Sequence, residues 1–108
     1  MKWRAVAALL MFWACDMAVA QSTSTLERRG EQLLSRHCAM CHAIGRTGGS
    51  PHAQAPPFRT LGRKYPVATL QEALGEGLLS GHPAMPEFKF PPADVAAIIA
   101  YLSAIQEH

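Results

Sequence analysis

Two cysteines and a histidine occupy five consecutive positions of this chain, at Cys38, Cys41 and His42. On a helix, residues three and four positions apart lie on the same face, so both thiols and the imidazole would point to one side. A single flat object beside that face would contact all three groups. The fold must leave room for such an object. No other feature of the sequence constrains the fold as strongly.

A covalently attached haem uses all three side chains. Its vinyl-derived carbons form thioethers with two cysteines, its iron accepts the adjacent imidazole, and C-x-x-C-H is the attachment signal for c-type haem. A thioredoxin-like pair would follow a strand, and no strand pattern precedes Cys38. Structural zinc needs four ligands, and the neighbours Cys41 and His42 would have difficulty serving one tetrahedral ion. A simple disulfide remains possible but leaves His42 without a role.

The first twenty residues have the organisation of a cleaved export signal. Lys2 and Arg4 precede an apolar run at 5–14, and small residues at 18–20 provide a cleavage site ahead of Gln21. The run is shorter than the roughly 20 residues that span a bilayer. We therefore expect a secretory signal peptide that is removed, an exported periplasmic product, and no stable membrane insertion after processing.

Cleavage gives a small mature domain at 21–108. Lipoprotein processing before Cys15 is the weaker alternative, because the bulky Phe12 and Trp13 stand where such sites prefer aliphatic and small residues. Removal of 1–20 leaves two cysteines, and eight basic against seven acidic residues. No basic cluster with interleaved aromatics indicates nucleic-acid binding. A domain of this size is short of core, and a large apolar prosthetic group would compensate.

Hydrophobic spacing predicts an all-α fold with proline-rich loops. The predicted helices are 25–42, 67–74 and 93–106. The predicted loops are 45–66 and 80–92. No alternating strand pattern of useful length is present. The apolar stripe of the last helix consists of Val95, Ile98, Ile99, Leu102 and Ile105, with Tyr101 at its border.

Glycine and proline mark particular points in these helices. Gly30 lies on the same stripe as Leu26, Leu33, Leu34 and His37. Glycine inside a helix costs about 1 kcal/mol against alanine, so its place on the apolar face predicts close contact with another element. Gly75 and Gly77 are expected to end the second helix, and Pro92 to begin the third.

The second axial position of the iron has a candidate in Met85. Met40, the other methionine left after cleavage, lies inside the attachment segment and cannot reach the far face. Met85 stands between two prolines that restrict its loop, and a Met/His pair raises the reduction potential relative to two histidines. His82 remains open as an alternative, because imidazole is the stronger ligand for ferric iron. His52 follows a Gly-Gly-Ser-Pro turn and is expected to face solvent.

These stretches together resemble class I c-type cytochromes, the small mono-haem periplasmic kind, over essentially all of 25–106. The resemblance rests on CAMCH at 38–42, APPF at 55–58, GHPAMP at 81–86 and DVAAIIAYL at 94–102. It implies a cytochrome c fold, in which three main helices wrap round one covalently bound haem. It also implies that the first and last helices cross where Gly30 meets an aromatic residue, here Tyr101.

The resemblance further implies a proline carbonyl that accepts the second imidazole N–H of His42, which would orient the ring. Pro56 and Pro57 are both candidates, and spacing does not separate them. Basic and polar side chains that could bind the haem propionates, or equally form a solvated basic face, are Arg59, Arg63, Lys64 and Tyr65.

An iron with both axial positions filled has no place for a substrate, so we expect an electron carrier rather than an enzyme. The carrier would be a free shuttle or the cytochrome subunit of an exported dehydrogenase. Its partners would be redox proteins: a dehydrogenase, an oxidase or another cytochrome. The mature chain has only Lys64 and Lys89, so no lysine ring marks the partner. Alternatives are a haem sensor or gas-binding protein with a displaceable sixth ligand, and a thiol–disulfide protein without haem.

Overall fold

The computed structural model describes residues 22–107, so the expected signal peptide at 1–20 lies outside the described residues. Helix α1 occupies 22–37, α2 Leu70–Glu76 and α3 Pro92–Ile105, with 3-10 helices at Phe58–Arg63 and Val67–Thr69. This part of the chain has no strand beyond an isolated antiparallel bridge between Leu78 and Phe88. The prediction of an all-α fold is confirmed here. Within 22–107, no helix combines the length and the apolar character needed to cross a bilayer.

Helix α1 ends at residue 37, before the predicted end at 42. The amides of Cys38 and Ala39 both donate to the carbonyl of Leu34, at 2.8 and 3.1 Å, and the chain then turns. The prediction that Cys38, Cys41 and His42 lie on a helix was therefore wrong. They lie on the turn that follows it. The amide of His42 still donates to the carbonyl of Cys38 at 2.9 Å, so one helix-like turn holds the three residues together.

The segment predicted as loop at 45–66 contains a 3-10 helix, Phe58–Arg63. The carbonyl of Pro57 accepts both the amide and the hydroxyl of Thr60, at 3.1 and 2.8 Å, which closes its first turn. Phe58 and Leu61 are buried three positions apart, the spacing that a 3-10 helix places on one face. Hydrophobic spacing typical of α-helices did not predict this element, because it is a 3-10 helix that follows a run of prolines.

Helix α3 lies one residue before its predicted bounds, whereas α2 covers Leu70–Glu76 instead of 67–74. A single 3-10 turn precedes α2, whose end is set by Gly77 at φ 130°, a conformation that glycine adopts readily. Gly75 lies inside α2, so the expectation that it also ends the helix was wrong. Pro92 is the first residue of α3, as expected.

Helix α1 crosses α3 at Gly30, which is buried. A Cβ at position 30 would overlap the carbonyl oxygen of Ala97 and lie 2.8 Å from Cβ of Tyr101. The predicted close contact of Gly30 with another helix is therefore present. Tyr101, expected at the border of the stripe, is buried, whereas Leu26 at the start of the α1 stripe is 40% exposed.

The core lies between α1, α3 and the segments that join them. Its buried members are Leu33, Leu34, Phe58, Leu61, Val67, Leu74, Phe90, Val95, Ala97, Ile98, Tyr101, Leu102 and Ile105. Cys38 packs against this cluster from the turn after α1. The core therefore reaches the attachment segment directly.

Candidate functional site

The turn at 38–42 presents two half-buried cysteines whose sulfurs are unpaired. Burial raises the pKa of the Cys38 thiol to about 11, so this thiol is protonated at neutral pH. Redox-active C-x-x-C pairs instead have a thiol with a lowered pKa. Met40, between the two cysteines, is 88% exposed. The turn therefore offers two free thiols as partners for covalent attachment.

The imidazole ring of His42 is held by one hydrogen bond and by ring stacking. Its Nδ1 lies 2.8 Å from the carbonyl oxygen of Pro56, and its ring stacks on Phe58 with centroids 4.5 Å apart. A carbonyl oxygen only accepts, so Nδ1–H is the donor and Nε2 carries the lone pair that binds a metal. The carbonyl of Pro57 accepts from Thr60 instead. Of the two candidate prolines, Pro56 is the one whose carbonyl accepts the hydrogen bond of His42.

The loop after His42 folds back and fixes this arrangement. The amide of Ala43 donates to the hydroxyl of Ser50 at 3.0 Å, and the amide of His52 donates to the carbonyl of Cys41 at 3.1 Å. The amide of Phe58 donates to the carbonyl of Ala43 at 3.0 Å, which sets the phenyl ring beside the imidazole. The surroundings of the His42 ring are therefore built by residues 43–58.

Met85 is half-buried in a separate turn. Its amide donates to the carbonyl of His82 at 3.1 Å, and the Leu78–Phe88 bridge pairs the two segments that lead into and out of this turn. The loop predicted at 80–92 is confirmed up to Pro91, and α3 already begins at Pro92.

Both ring nitrogens of His82 are engaged with protein atoms. Nδ1 accepts the amide of Ala84 at 3.2 Å, and Nε2 lies 2.6 Å from Oε1 of Gln54. His82 is exposed. The ring of His52 lies edge-on to it, with centroids 5.8 Å apart, and the Nδ1 of His52 accepts the amide of Gln54 at 3.2 Å. Coordination by His82 would require it to give up a contact, whereas Met85 would lose none through its sulfur.

Arg59 lies against the chain's C-terminal segment. Its Nε donates to Glu107 at 3.1 Å and its Nη1 to the carbonyl of Gly48 at 2.6 Å, so two of its three nitrogens have protein partners. Arg63 donates to the same carboxylate at 2.6 Å, while Lys64 and Tyr65 are exposed. The contact with Glu107 was not predictable from sequence, because Glu107 is distant from Arg59 along the chain and belongs to no motif.

The residues present fit a covalently bound haem with iron. The turn after α1 brings Cys38, Cys41 and His42 together, and the Pro56 carbonyl leaves His42 Nε2 for the metal. A carbonyl partner on the second imidazole nitrogen is the usual companion of a metal-binding histidine. Met85 carries a thioether on a different turn. The sequence pattern did not predict the stacking of Phe58 on His42, although Phe58 directly follows the two candidate prolines, nor the contact of Gln54 with His82.

Comparisons with known proteins agree with this chemistry. Residues 25–102 match the family described as cytochrome c oxidase, cbb3-type, subunit III. The chain is 30% identical over 94 residues to cytochrome c-552 of Bradyrhizobium diazoefficiens, which is 83% of this chain and 88% of that protein. No solved structure gives a significant match.

Proposed function

Because this chain belongs to the c-type cytochrome family, we propose that it is a periplasmic protein that carries one electron at a His/Met-ligated haem. Membership of the family establishes the coarser points: electron transfer, and a covalently bound haem c with iron. The finer assignment gives Cys38 and Cys41 the thioether bonds, His42 the proximal position and Met85 the opposite one. A free shuttle and a subunit of an exported oxidoreductase are both forms of this proposal.

The observation that carries the proposal is the contact between His42 and Pro56. The 2.8 Å hydrogen bond fixes the tautomer of the imidazole and the direction of Nε2. Stacking on Phe58 limits rotation of the ring. When bound, the haem iron supplies one-electron oxidation and reduction, and the protein tunes it through its axial ligands, hydrogen bonds and burial.

Met85 is the better candidate for the opposite axial position. Its thioether is half-buried, while the ring of the competing His82 is exposed and bonded at both nitrogens. A methionine there raises the reduction potential relative to a second histidine. Two filled axial positions leave none for a substrate, which favours a carrier over an enzyme or a gas-binding protein.

The same assignment limits the role of Arg59. With Nε and Nη1 bonded to Glu107 and Gly48, only its Nη2 would remain to bind a haem propionate. We propose that Arg59 acts chiefly by joining the loop at Gly48 to the C-terminal segment.

Redox partners would meet the protein through apolar surface near the attachment turn, which comprises residues 38–42. Met40 is a large apolar side chain that is 88% exposed. Met40 lies within the attachment turn itself, and small apolar contacts of this kind suit the weak, brief encounters of redox proteins. Dehydrogenases, other cytochromes and oxidases are all candidate partners. The matching family's description names an oxidase subunit, so an oxidase is the first partner to test.

Optical spectra of the purified holoprotein test the proposed function. We expect sharp α and β bands after reduction, a weak methionine–ferric charge-transfer band in the far red, and no reaction of the untouched reduced protein with carbon monoxide. Rapid carbon monoxide binding would instead support the sensor or gas-binding alternative. A protein without a Soret band would support the thiol–disulfide alternative.

Replacement of Met85 tests the axial assignment. Met85→Ala should abolish the far-red band, lower the reduction potential and open the iron to added ligands, because no thioether remains to occupy that position. Met40→Ala is the matched control, since Met40 is exposed and lies inside the attachment turn. It should leave the band and the potential unchanged. A far-red band that persists in Met85→Ala would show that another residue is the ligand.

A further inference from the structure

The Met85 turn is organised around His82. The carbonyl of His82 accepts the amide of Met85 at 3.1 Å, and its Nδ1 accepts the amide of Ala84 at 3.2 Å. Since Nδ1 is an acceptor, the ring proton of a neutral His82 is on Nε2. That Nε2–H donates to Oε1 of Gln54 at 2.6 Å. Nδ1 of His82 thus forms a hydrogen bond within the Met85 turn, and Nε2 forms one with a residue outside that turn.

Gln54 belongs to the loop that builds the opposite side of the site. The backbone amide of Gln54 donates to Nδ1 of His52 at 3.2 Å. Gln54 also lies two residues before Pro56, whose carbonyl orients His42. The Gln54–His82 hydrogen bond joins residues 28 apart in sequence. It therefore links the loop that positions the proximal ligand to the turn that carries the opposite one.

We infer that Gln54 is a positioning residue that holds the Met85 turn against the iron by accepting the hydrogen bond of His82 Nε2–H. The inference rests on the proposed function, because it takes Met85 as the axial ligand. In a loop without regular secondary structure, few contacts oppose local opening, and each one shifts the population of the open form. Loss of the Gln54 contact favours the form in which Met85 has left the metal.

Imidazole binding to the ferric holoprotein measures this opening, because imidazole occupies the axial position that Met85 leaves. Loss of a single hydrogen bond of ordinary strength should raise the apparent affinity of imidazole about threefold to tenfold. Gln54→Leu keeps the approximate size of the side chain and removes the acceptor, so it should show this increase. Gln54→Glu retains an acceptor oxygen and should restore an affinity near that of the wild type.

His82→Asn is the reciprocal variant. The asparagine side chain can accept the amide two residues on, as Nδ1 of His82 does with Ala84, but it is too short to replace the contact of Nε2 with Gln54. It should raise the imidazole affinity by a factor similar to that of Gln54→Leu. The double variant should show no further increase, because both changes remove the same bond. Fully additive effects would overturn the inference.

Gln71→Leu is the matched control, since Gln71 is exposed on α2. An imidazole affinity in Gln54→Leu equal to that in Gln71→Leu would overturn the positioning role. If Met85→Ala loses its far-red band in that case, the ligation by Met85 stands and this inference alone fails. A band that persists in Met85→Ala overturns the ligation and the inference with it. Thermal midpoints should match in Gln54→Leu and Gln71→Leu, which separates local opening from general destabilisation.

Discussion

The hydroxyl of Tyr101 donates a 2.8 Å hydrogen bond to the carbonyl of Ile44, two residues after His42. This bond ties α3 to the chain that leaves the attachment turn. Burial raises the pKa of Tyr101, nearby Glu31 raises it further, and Arg46 opposes the shift. The folded state therefore holds the phenolic proton more tightly than the unfolded chain does.

The raised pKa of Tyr101 predicts a specific loss of stability at high pH. Its contribution is fully present below the unfolded pKa of about 10 and is lost as pH rises through the higher folded pKa. Tyr101→Phe should cost about 1 kcal/mol of unfolding free energy at neutral pH, because the Ile44 carbonyl loses its donor. It should also flatten the alkaline decline. Urea unfolding at several alkaline pH values would check this, and parallel pH profiles for both proteins would contradict it.

Single residues of the site differ in how far the sequence predicts them. Cys38, Cys41 and His42 form a contiguous motif, and a chemical argument from spacing is enough to propose their roles. The sequence left Pro56 and Pro57 unresolved, because the choice depends on how the loop turns back over His42. Gln54 could not be anticipated, since its contact with His82 joins two exposed polar side chains that no motif connects.

At the scale of elements, the crossing of α1 and α3 sets how closely the two helices approach. Gly30 meets the backbone of Ala97 and the Cβ of Tyr101, and Arg29 forms a 3.1 Å ion pair with Asp94 at the start of α3. Arg29 is largely exposed, so the ion pair adds little stability by itself. Close packing at Gly30 is the stronger constraint.

Substitution at the crossing should be destabilising. Gly30→Ala should cost about 1 to 3 kcal/mol, despite the better helix propensity of alanine, because its Cβ would overlap the Ala97 carbonyl and force the helices apart. Gly49→Ala is the matched control, since a Cβ there meets nothing within 4 Å. Thermal unfolding of the holoprotein measures both. Equal midpoints for the two variants would contradict the packing argument.

The elements were predictable to different degrees for physical reasons. An apolar stripe and an initiating proline define α3, and both signals are local to its sequence. The end of α1 depends on two amides that share the Leu34 carbonyl, which hydrophobic spacing does not reveal. The 3-10 helix Phe58–Arg63 is stabilised from a distance: Gln106 donates to the carbonyl of Phe58 and accepts the amide of Gly62.

At the scale of the whole molecule, a small core is built next to the attachment turn. Cys38 packs against that core, and Phe58 belongs both to the core and to the wall that supports His42. A domain of this size buries a modest share of its surface. Haem held between these elements would add apolar area that the chain lacks. The size of the predicted domain and its many prolines indicated a shortage of core. The positions of the segments around His42 and Cys38 could be read only from the structure.

The intact mass of the protein purified from its native host tests the central claim, which is covalent attachment through Cys38 and Cys41. We predict a mass equal to that of the processed polypeptide plus one haem, retained after denaturation. The double variant Cys38→Ala/Cys41→Ala should lack this additional mass. It should also fail to fold stably, because the chain without haem buries too little apolar surface. A colourless native protein with the mass of the bare processed polypeptide would contradict the account.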